Sequence, residues 1–265
     1  MENNLLKRIV GIACLLLLLA APAKAQFTYG TTGLLHMPTA DMQRDKTFMF
    51  GGSFLNSHAM PAYWFYNTYN YYINITFFPW LEVGYICNLF SAEGLGLDKH
   101  GYSGYTNQDR SFHARFRVWQ EGCWKEWMPQ ILLGVNDPTT GGGYDYTEMG
   151  VGGDDNGHFN RYYIVATKHL DWHGKWGVHA AYVYNKRNKD KLNGPALGVD
   201  YTFALPETST LNKEVNKLNL MAEYDSKFVN IGAKYACWKD YINVVAELRE
   251  CRYPSVGVYF KVHLK

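Results

Sequence analysis

The chain has 265 residues, of which 47% are hydrophobic types, 19% charged and 16% aromatic. So many aromatics with so little charge rule out a disordered chain. The 25 glycines follow no three-residue period, and beyond residue 21 no apolar run reaches the roughly 20 residues that a membrane-spanning helix needs. A mean hydropathy of −0.29 suits a chain in which only alternate residues are apolar, as in a transmembrane β-barrel.

At the N-terminus, Lys7 and Arg8 precede an apolar core from Ile9 to Ala20, and Ala23-Lys24-Ala25 has the small-x-small form of a cleavage site. Residues 1–25 therefore read as a secretory signal peptide cut before Gln26. The apolar core is too short for an uncleaved anchor. Cys14 lies inside it, not after it, where a lipoprotein cysteine would stand. Loss of Glu2, Lys7, Arg8 and Lys24 with this leader leaves the mature chain without net charge. No basic surface then exists for nucleic acid.

Residues 26–45 carry Gly30, Gly33 and Pro38 and read as an extended, turn-rich periplasmic segment before the first strand. Leu34, Leu35, Met37 and Pro38 are expected to pack at the periplasmic mouth of a barrel or to enter its lumen. Period-2 alternation then predicts about twelve strands, at 46–56, 69–78, 80–89, 110–120, 128–136, 160–169, 174–185, 195–204, 216–225, 227–237, 240–250 and 254–264. Phe112, Ala114, Phe116 and Val118 against His113, Arg115 and Arg117 show the pattern clearly. Residues 46–265 thus form a single domain.

Alternation alone does not separate a barrel in lipid from a soluble sandwich. Strands of about ten residues match a tilted bilayer span and exceed the usual globular length of about five or six. Connections alternate between long (57–68, 90–109, 137–159, 186–194) and short (Pro79, 121–127, 170–173, 238–239), as outer-membrane barrels do. The stretch 205–215 is longer than that rule wants, and 251–253 is shorter. Trp80, Trp119, Trp124, Trp127, Trp172, Trp176 and Trp238 fall on or beside the short connections, leaving only Trp64 apart. One-sided tryptophan is the pattern of an interfacial girdle. The fold class is all-β: a transmembrane antiparallel β-barrel.

Parity turns Glu82, Arg115, Arg117, Asp200, Glu223, Lys234, Glu247, Arg249 and Lys261 away from lipid and into the lumen. Both signs are present in a narrow interior, so these charges are expected to pair and fill it. The functional alternative is a polar path or a binding strip for a hydrated glycan. The loop 137–159 has Asp137, Asp145, Glu148, Asp154 and Asp155 among glycines. Its spacing does not fit an EF-hand and reads as an acidic surface loop. His169-Leu170-Asp171-Trp172-His173 lacks a fourth ligand for zinc. No metal and no cofactor are expected. Cys87, Cys123, Cys237 and Cys251 are expected to remain mostly free thiols, because the topology sets them apart.

Gly33-Leu34-Leu35-His36-Met37-Pro38-Thr39-Ala40, then Phe48, Phe50, Gly51 and Ser53, then Phe77-Phe78-Pro79-Trp80-Leu81-Glu82-Val83-Gly84 resemble the start of the YjbH family. This is a group of Gram-negative outer-membrane proteins associated with exopolysaccharide production. Leu133 to Pro138, Tyr162 to Lys168, Gly198 to Tyr201 and Ala222 to Asp225 extend the likeness along most of the mature chain. Gly33, Pro38, Thr39, Ala40, Pro79, Trp80 and Glu82 carry the two most specific motifs. Asp45-Lys46 stands where the family usually has Asp-Gly. The family's larger members are much longer, so a single barrel is expected here.

The resemblance implies an outer-membrane barrel connected with extracellular polysaccharide but supplies no mechanism, and the function expected here is assistance in export or surface retention of an exopolysaccharide, without catalysis. Outer-membrane lipid, polysaccharide and other envelope export proteins would be its partners. The alternatives are a barrel enzyme acting on lipid or lipopolysaccharide, and a structural or adhesin-like surface barrel. Against the enzyme, His58, His113 and His179 show no fixed serine partner in the sequence, and no nucleophile motif is present.

Overall fold

The computed structural model describes residues 28–60, 66–91, 99, 101, 103–138, 160–185 and 193–264. Twelve strands close into one barrel: β1 Thr47–Leu55, β2 Thr68–Phe78, β3 Leu81–Ser91, β4 Tyr105–Trp119, β5 Gln130–Asn136, β6 Arg161–Asp171, β7 Lys175–Tyr184, β8 Gly194–Thr202, β9 Leu218–Tyr224, β10 Val229–Trp238, β11 Ile242–Arg249 and β12 Tyr253–His263. Each strand pairs antiparallel with its sequence neighbours, and β1 pairs with β12 from Thr47↔His263 to Phe54↔Val256. Closure leaves no unpaired edge.

The alternation that the sequence displays becomes an inverted protein. On β2 the burial pattern strictly alternates over Thr68 to Asn74. The inward set Thr68, Asn70, Tyr72, Asn74 and Thr76 is buried, while Tyr69, Tyr71 and Ile73 are exposed. On β4, Phe112 is 61% exposed while Arg115 is fully buried. Apolar side chains cover the exterior and charged ones fill the interior, the reverse of a water-soluble domain.

Both ends of the barrel chain, Thr47 and His263, lie at one rim, here called the near rim. The turn 79–80, the connection 120–129, the turn 172–174 and the turn 239–241 join strands there. All seven tryptophans grouped by the sequence lie in these connections or within two residues of them, and Trp124, Trp127 and Trp172 are about 70% exposed. Trp64 and the loop 139–159 lie outside the described residues. The long connection between β8 and β9 contains a feature that alternation did not predict, helix α1 at Thr210–Val215, capped by the Ser209 side chain accepting from Asn212 N–H.

Residues 28–43 enter the barrel. Gly33 and Pro38 form an antiparallel bridge, and Leu34 N–H donates to Met37 carbonyl at 3.1 Å, so 33–38 is a tight hairpin tip. Of the two places expected for this segment, the mouth and the lumen, the structure gives the lumen. Leu34, Leu35, Met37 and Ala40 have no exposed surface. Two inward glycines leave space for them. A Cβ on Gly198 would stand 2.5 Å from Leu34 Cδ1 and 3.0 Å from Met37 Sδ, and one on Gly232 would stand 2.7 Å from Leu35 Cδ2. Glycine inside a strand weakens the strand, and here it admits a second segment of chain at close approach.

Candidate functional site: a plugged, ion-paired lumen

The plug is held by charged side chains of the wall. The Glu223 carboxylate on β9 accepts three successive backbone N–H groups, from Leu35 (3.0 Å), His36 (2.8 Å) and Met37 (3.1 Å). Successive amides converging on one carboxylate satisfy donors that a tight turn would otherwise bury unpaired. His36 reaches Glu247 on β11 through Nε2 at 2.6 Å and Thr28 through Nδ1 at 3.0 Å. On the opposite wall, Glu82 on β3 accepts the N–H and hydroxyl of Thr32 and pairs with Arg115 on β4 at 2.8 Å. Arg115 donates onward to the carbonyls of Thr39 and Asp41. Arg161 on β6 donates to His36 carbonyl at 2.9 Å and lies 3.3 Å over the Tyr29 ring.

The other inward charges are placed around this anchor set. Asp200 accepts from His179 Nε2 at 2.8 Å and from Asn219 at 2.7 Å. Arg249 pairs with Asp225 at 2.7 Å on the side of the lumen away from the near rim. Lys261 pairs with Asp240 at 3.0 Å beside the near rim. Arg117 and Lys234 line a cavity of about 980 Å³ at the near rim, floored by Met42 and Gln43 of the plug. The nine residues singled out by parity are thus split among plug anchoring, wall-to-wall pairing and this vestibule. Charge pairs of both signs occupy the interior, and the plug fills what they leave.

The motif residues have structural roles. Gly33 and Pro38 close the hairpin tip. Thr39 offers its carbonyl to Arg115, and Ala40 N–H donates to Thr167 hydroxyl at 2.8 Å. Pro79 and Trp80 make the turn between β2 and β3, where the Trp80 and Phe78 rings stack at 5.2 Å. Lys46 keeps the turn that leads into β1, in the left-handed region at φ 56°.

Two further clusters, which alternation alone did not assemble, also matter. Thr167, His179 and Asp200 form a hydroxyl–imidazole–carboxylate chain, with Thr167 Oγ1 2.9 Å from His179 Nδ1. With Nε2–H facing Asp200, Nδ1 accepts from Thr167. The same hydroxyl oxygen takes the Ala40 N–H, and all three residues are at most 3% exposed, so the chain of bonds serves as a plug anchor. Parity alone places Thr167 and His179 inward, but neutral polar residues there gave no signal of a partner.

At the near rim, Glu121 joins the β4–β5 connection to β6. It accepts from Lys168 Nζ (2.9 Å), His169 N–H (3.0 Å) and His169 Nδ1 (2.6 Å). Partial burial pulls its carboxyl up, but these donors outweigh burial and hold it below the ordinary carboxylate value. His169 also meets Asp41 of the plug at 3.1 Å. Among the described residues no group of three potential metal ligands is gathered. Cys87, Cys123, Cys237 and Cys251 are free thiols.

A model of the family described as "Exopolysaccharide biosynthesis protein YbjH" matches residues 25–253, which include the plug and strands β1 to β11. The chain belongs to the YjbH family. No curated protein matches it. The family match begins at the plug segment, so the residues that close this lumen lie within the region that defines the YjbH family.

Proposed function

We propose that this chain is an outer-membrane β-barrel that assists export or surface retention of an exopolysaccharide and performs no covalent chemistry. The observation that carries the reading is the inverted barrel, apolar outside and ion-paired inside, in a chain of an exopolysaccharide family. Such an exterior fits hydrocarbon, and closure removes every strand edge that lipid would leave unsatisfied. A rim of tryptophans fits one bilayer interface. Residues 1–25 would be the export leader, and the near rim would face the periplasm.

The plug favours a role in handling or retaining polymer over a permanently open pore, because polymer would pass the lumen only after residues 28–43 move. Use of the Thr167–His179–Asp200 chain as a plug anchor supports the non-catalytic reading. Outer-membrane lipid, the polysaccharide and other envelope export proteins would be its partners. A deletion strain tests the reading. Surface polysaccharide should fall or be released to the medium, and the protein should fractionate with outer membranes. An unchanged glycan profile, or a soluble protein, would refute it.

A further inference from the structure

The near-rim cavity differs in character from the rest of the lumen. Its lining contains Arg44, Arg117, Lys175, Lys217, Lys234 and Lys239, but only three carboxylates, Asp45, Glu207 and Asp240. Two of these nine are already matched by residues outside the lining. Lys217 pairs with Glu214, and Asp240 pairs with Lys261. Lys234 is buried with an interaction of its own, and the remaining four cations, Arg44, Arg117, Lys175 and Lys239, face two carboxylates, Asp45 and Glu207. Deeper in the lumen, by contrast, Glu82–Arg115 and Asp225–Arg249 are close opposite-charge pairs. A cleft lined by one sign of charge, with protein walls around it, focuses field and concentrates ions of the opposite sign.

The cavity also presents two buried hydrogen-bond acceptors. Asn219 and Asn243 are at most 1% exposed, and Oδ1 of each has no hydrogen-bond partner. Their amide nitrogens are committed, Asn219 Nδ2 to Asp200 and Thr202 and Asn243 Nδ2 to the Asp240 carbonyl. Each amide is therefore fixed with its carbonyl oxygen waiting for a donor, and a buried acceptor without one is costly. A ligand suited to this site carries negative charge for the cations and hydroxyl donors for the amides. The volume of about 980 Å³ lies at the upper end of the range of about 300–1,000 Å³ typical of small-ligand sites.

We propose that the near-rim vestibule binds an anionic saccharide segment, with Arg117, Lys175 and Lys239 holding its acidic groups and Asn219 and Asn243 accepting from its hydroxyls. This names the substrate class for the function proposed above and rests on that reading. The segment would sit directly on Met42 and Gln43 at the base of the plug, so the site is a loading position outside the closed lumen.

The test uses the full mature protein in detergent micelles and fluorescently labelled oligogalacturonate, followed by anisotropy. Oligogalacturonate should bind, bind more weakly as salt rises, and lose at least about tenfold in affinity in the Arg117→Gln/Lys175→Gln/Lys239→Gln variant. Heat-modifiable gel migration checks that the variant is folded. If the triple variant does not fold, the exposed single reversal Lys175→Glu should still weaken binding. No binding of oligogalacturonate, equal binding of neutral maltohexaose, or equal affinity for polyglutamate would each overturn the proposal, the last in favour of an acidic peptide partner. The two readings can fail separately. A deletion strain with altered surface glycan but no oligogalacturonate binding removes only this site, whereas binding with an unchanged glycan profile removes the export role.

Discussion

Glu223 accepts the backbone N–H of His36 at 2.8 Å across 187 positions of the chain, and it takes the neighbouring amides of Leu35 and Met37 with it. One carboxylate on the wall thereby latches the tip of the plug. Removing it leaves up to three buried N–H groups unpaired, at a cost of about 1–3 kcal/mol each. Glu223→Ala should release the plug while leaving the wall closed. In planar bilayers the variant should show ion conductance that the parent lacks, and proteinase K should cut within 28–43. Silent bilayers and an uncut plug would show that the latch is dispensable.

Gly198 tests the same docking by shape. Its missing Cβ makes room for Leu34 and Met37, and the nearest backbone atom to a built Cβ, Ala222 carbonyl oxygen, is at an ordinary 3.5 Å. Valine favours a strand, so Gly198→Val should preserve the barrel and expel the plug. Conductance should rise as for Glu223→Ala. Adding Leu34→Ala in the same chain should restore part of the block, which a defect of the wall itself would not do.

Acid should loosen the near rim before the barrel. Glu121 titrates below the ordinary carboxylate value in the folded chain because Lys168 and His169 hold its charged form against partial burial. A carboxyl depressed on folding contributes stability that is fully present above its unfolded value and is lost as pH falls through the folded one. Emission of Trp124 and Trp127, which lie in the connection that Glu121 fastens, should shift over that acidic window. Glu121→Gln should remove this part of the pH dependence. An identical acid limb in the variant would assign the effect to other groups.

Lys46 occupies the left-handed region at φ 56°, a conformation that costs a non-glycine residue about 1 kcal/mol. Its backbone carbonyl also accepts Leu264 N–H at 2.7 Å, which ties the start of β1 to the end of β12. Lys46→Gly should therefore stabilise the folded barrel by roughly 0.5–1 kcal/mol in urea unfolding, a gain reduced by the freedom glycine adds to the unfolded chain. A loss of stability would mean that the lysine side chain contributes more than its backbone costs.

Most of the barrel was legible because alternation is a direct record of one face in apolar surroundings and one in a polar interior. Phe112, Phe116 and Val118 fixed β4 in this way. Its first residues did not: β4 begins at Tyr105 rather than 110, and Thr106-Asn107-Gln108-Asp109 alternates nothing. Helix α1 was illegible for a similar reason, since Thr210–Val215 is a single short element with no buried residue and therefore no apolar face to read. Parity also placed Glu223 and Glu247 in the lumen. Their partners could not be read, because Glu223 binds backbone amides, which every residue but proline carries. Leu34, Leu35 and Met37 announced a buried segment. Only the glycines at 198 and 232, far away in sequence, show where that segment fits.

Spin labels on a cysteine-free background, at outward positions 112 and 258 and at inward neighbours 111 and 257, would read the environment of the wall in lipid bilayers. Phe112 and Val258 are exposed, whereas Ser111 is buried. Labels at 112 and 258 should collide freely with oxygen and rarely with a water-soluble nickel complex, while those at 111 and 257 should be shielded from both. Outward labels as open to nickel as a label on an aqueous loop would contradict a barrel whose apolar exterior lies in hydrocarbon.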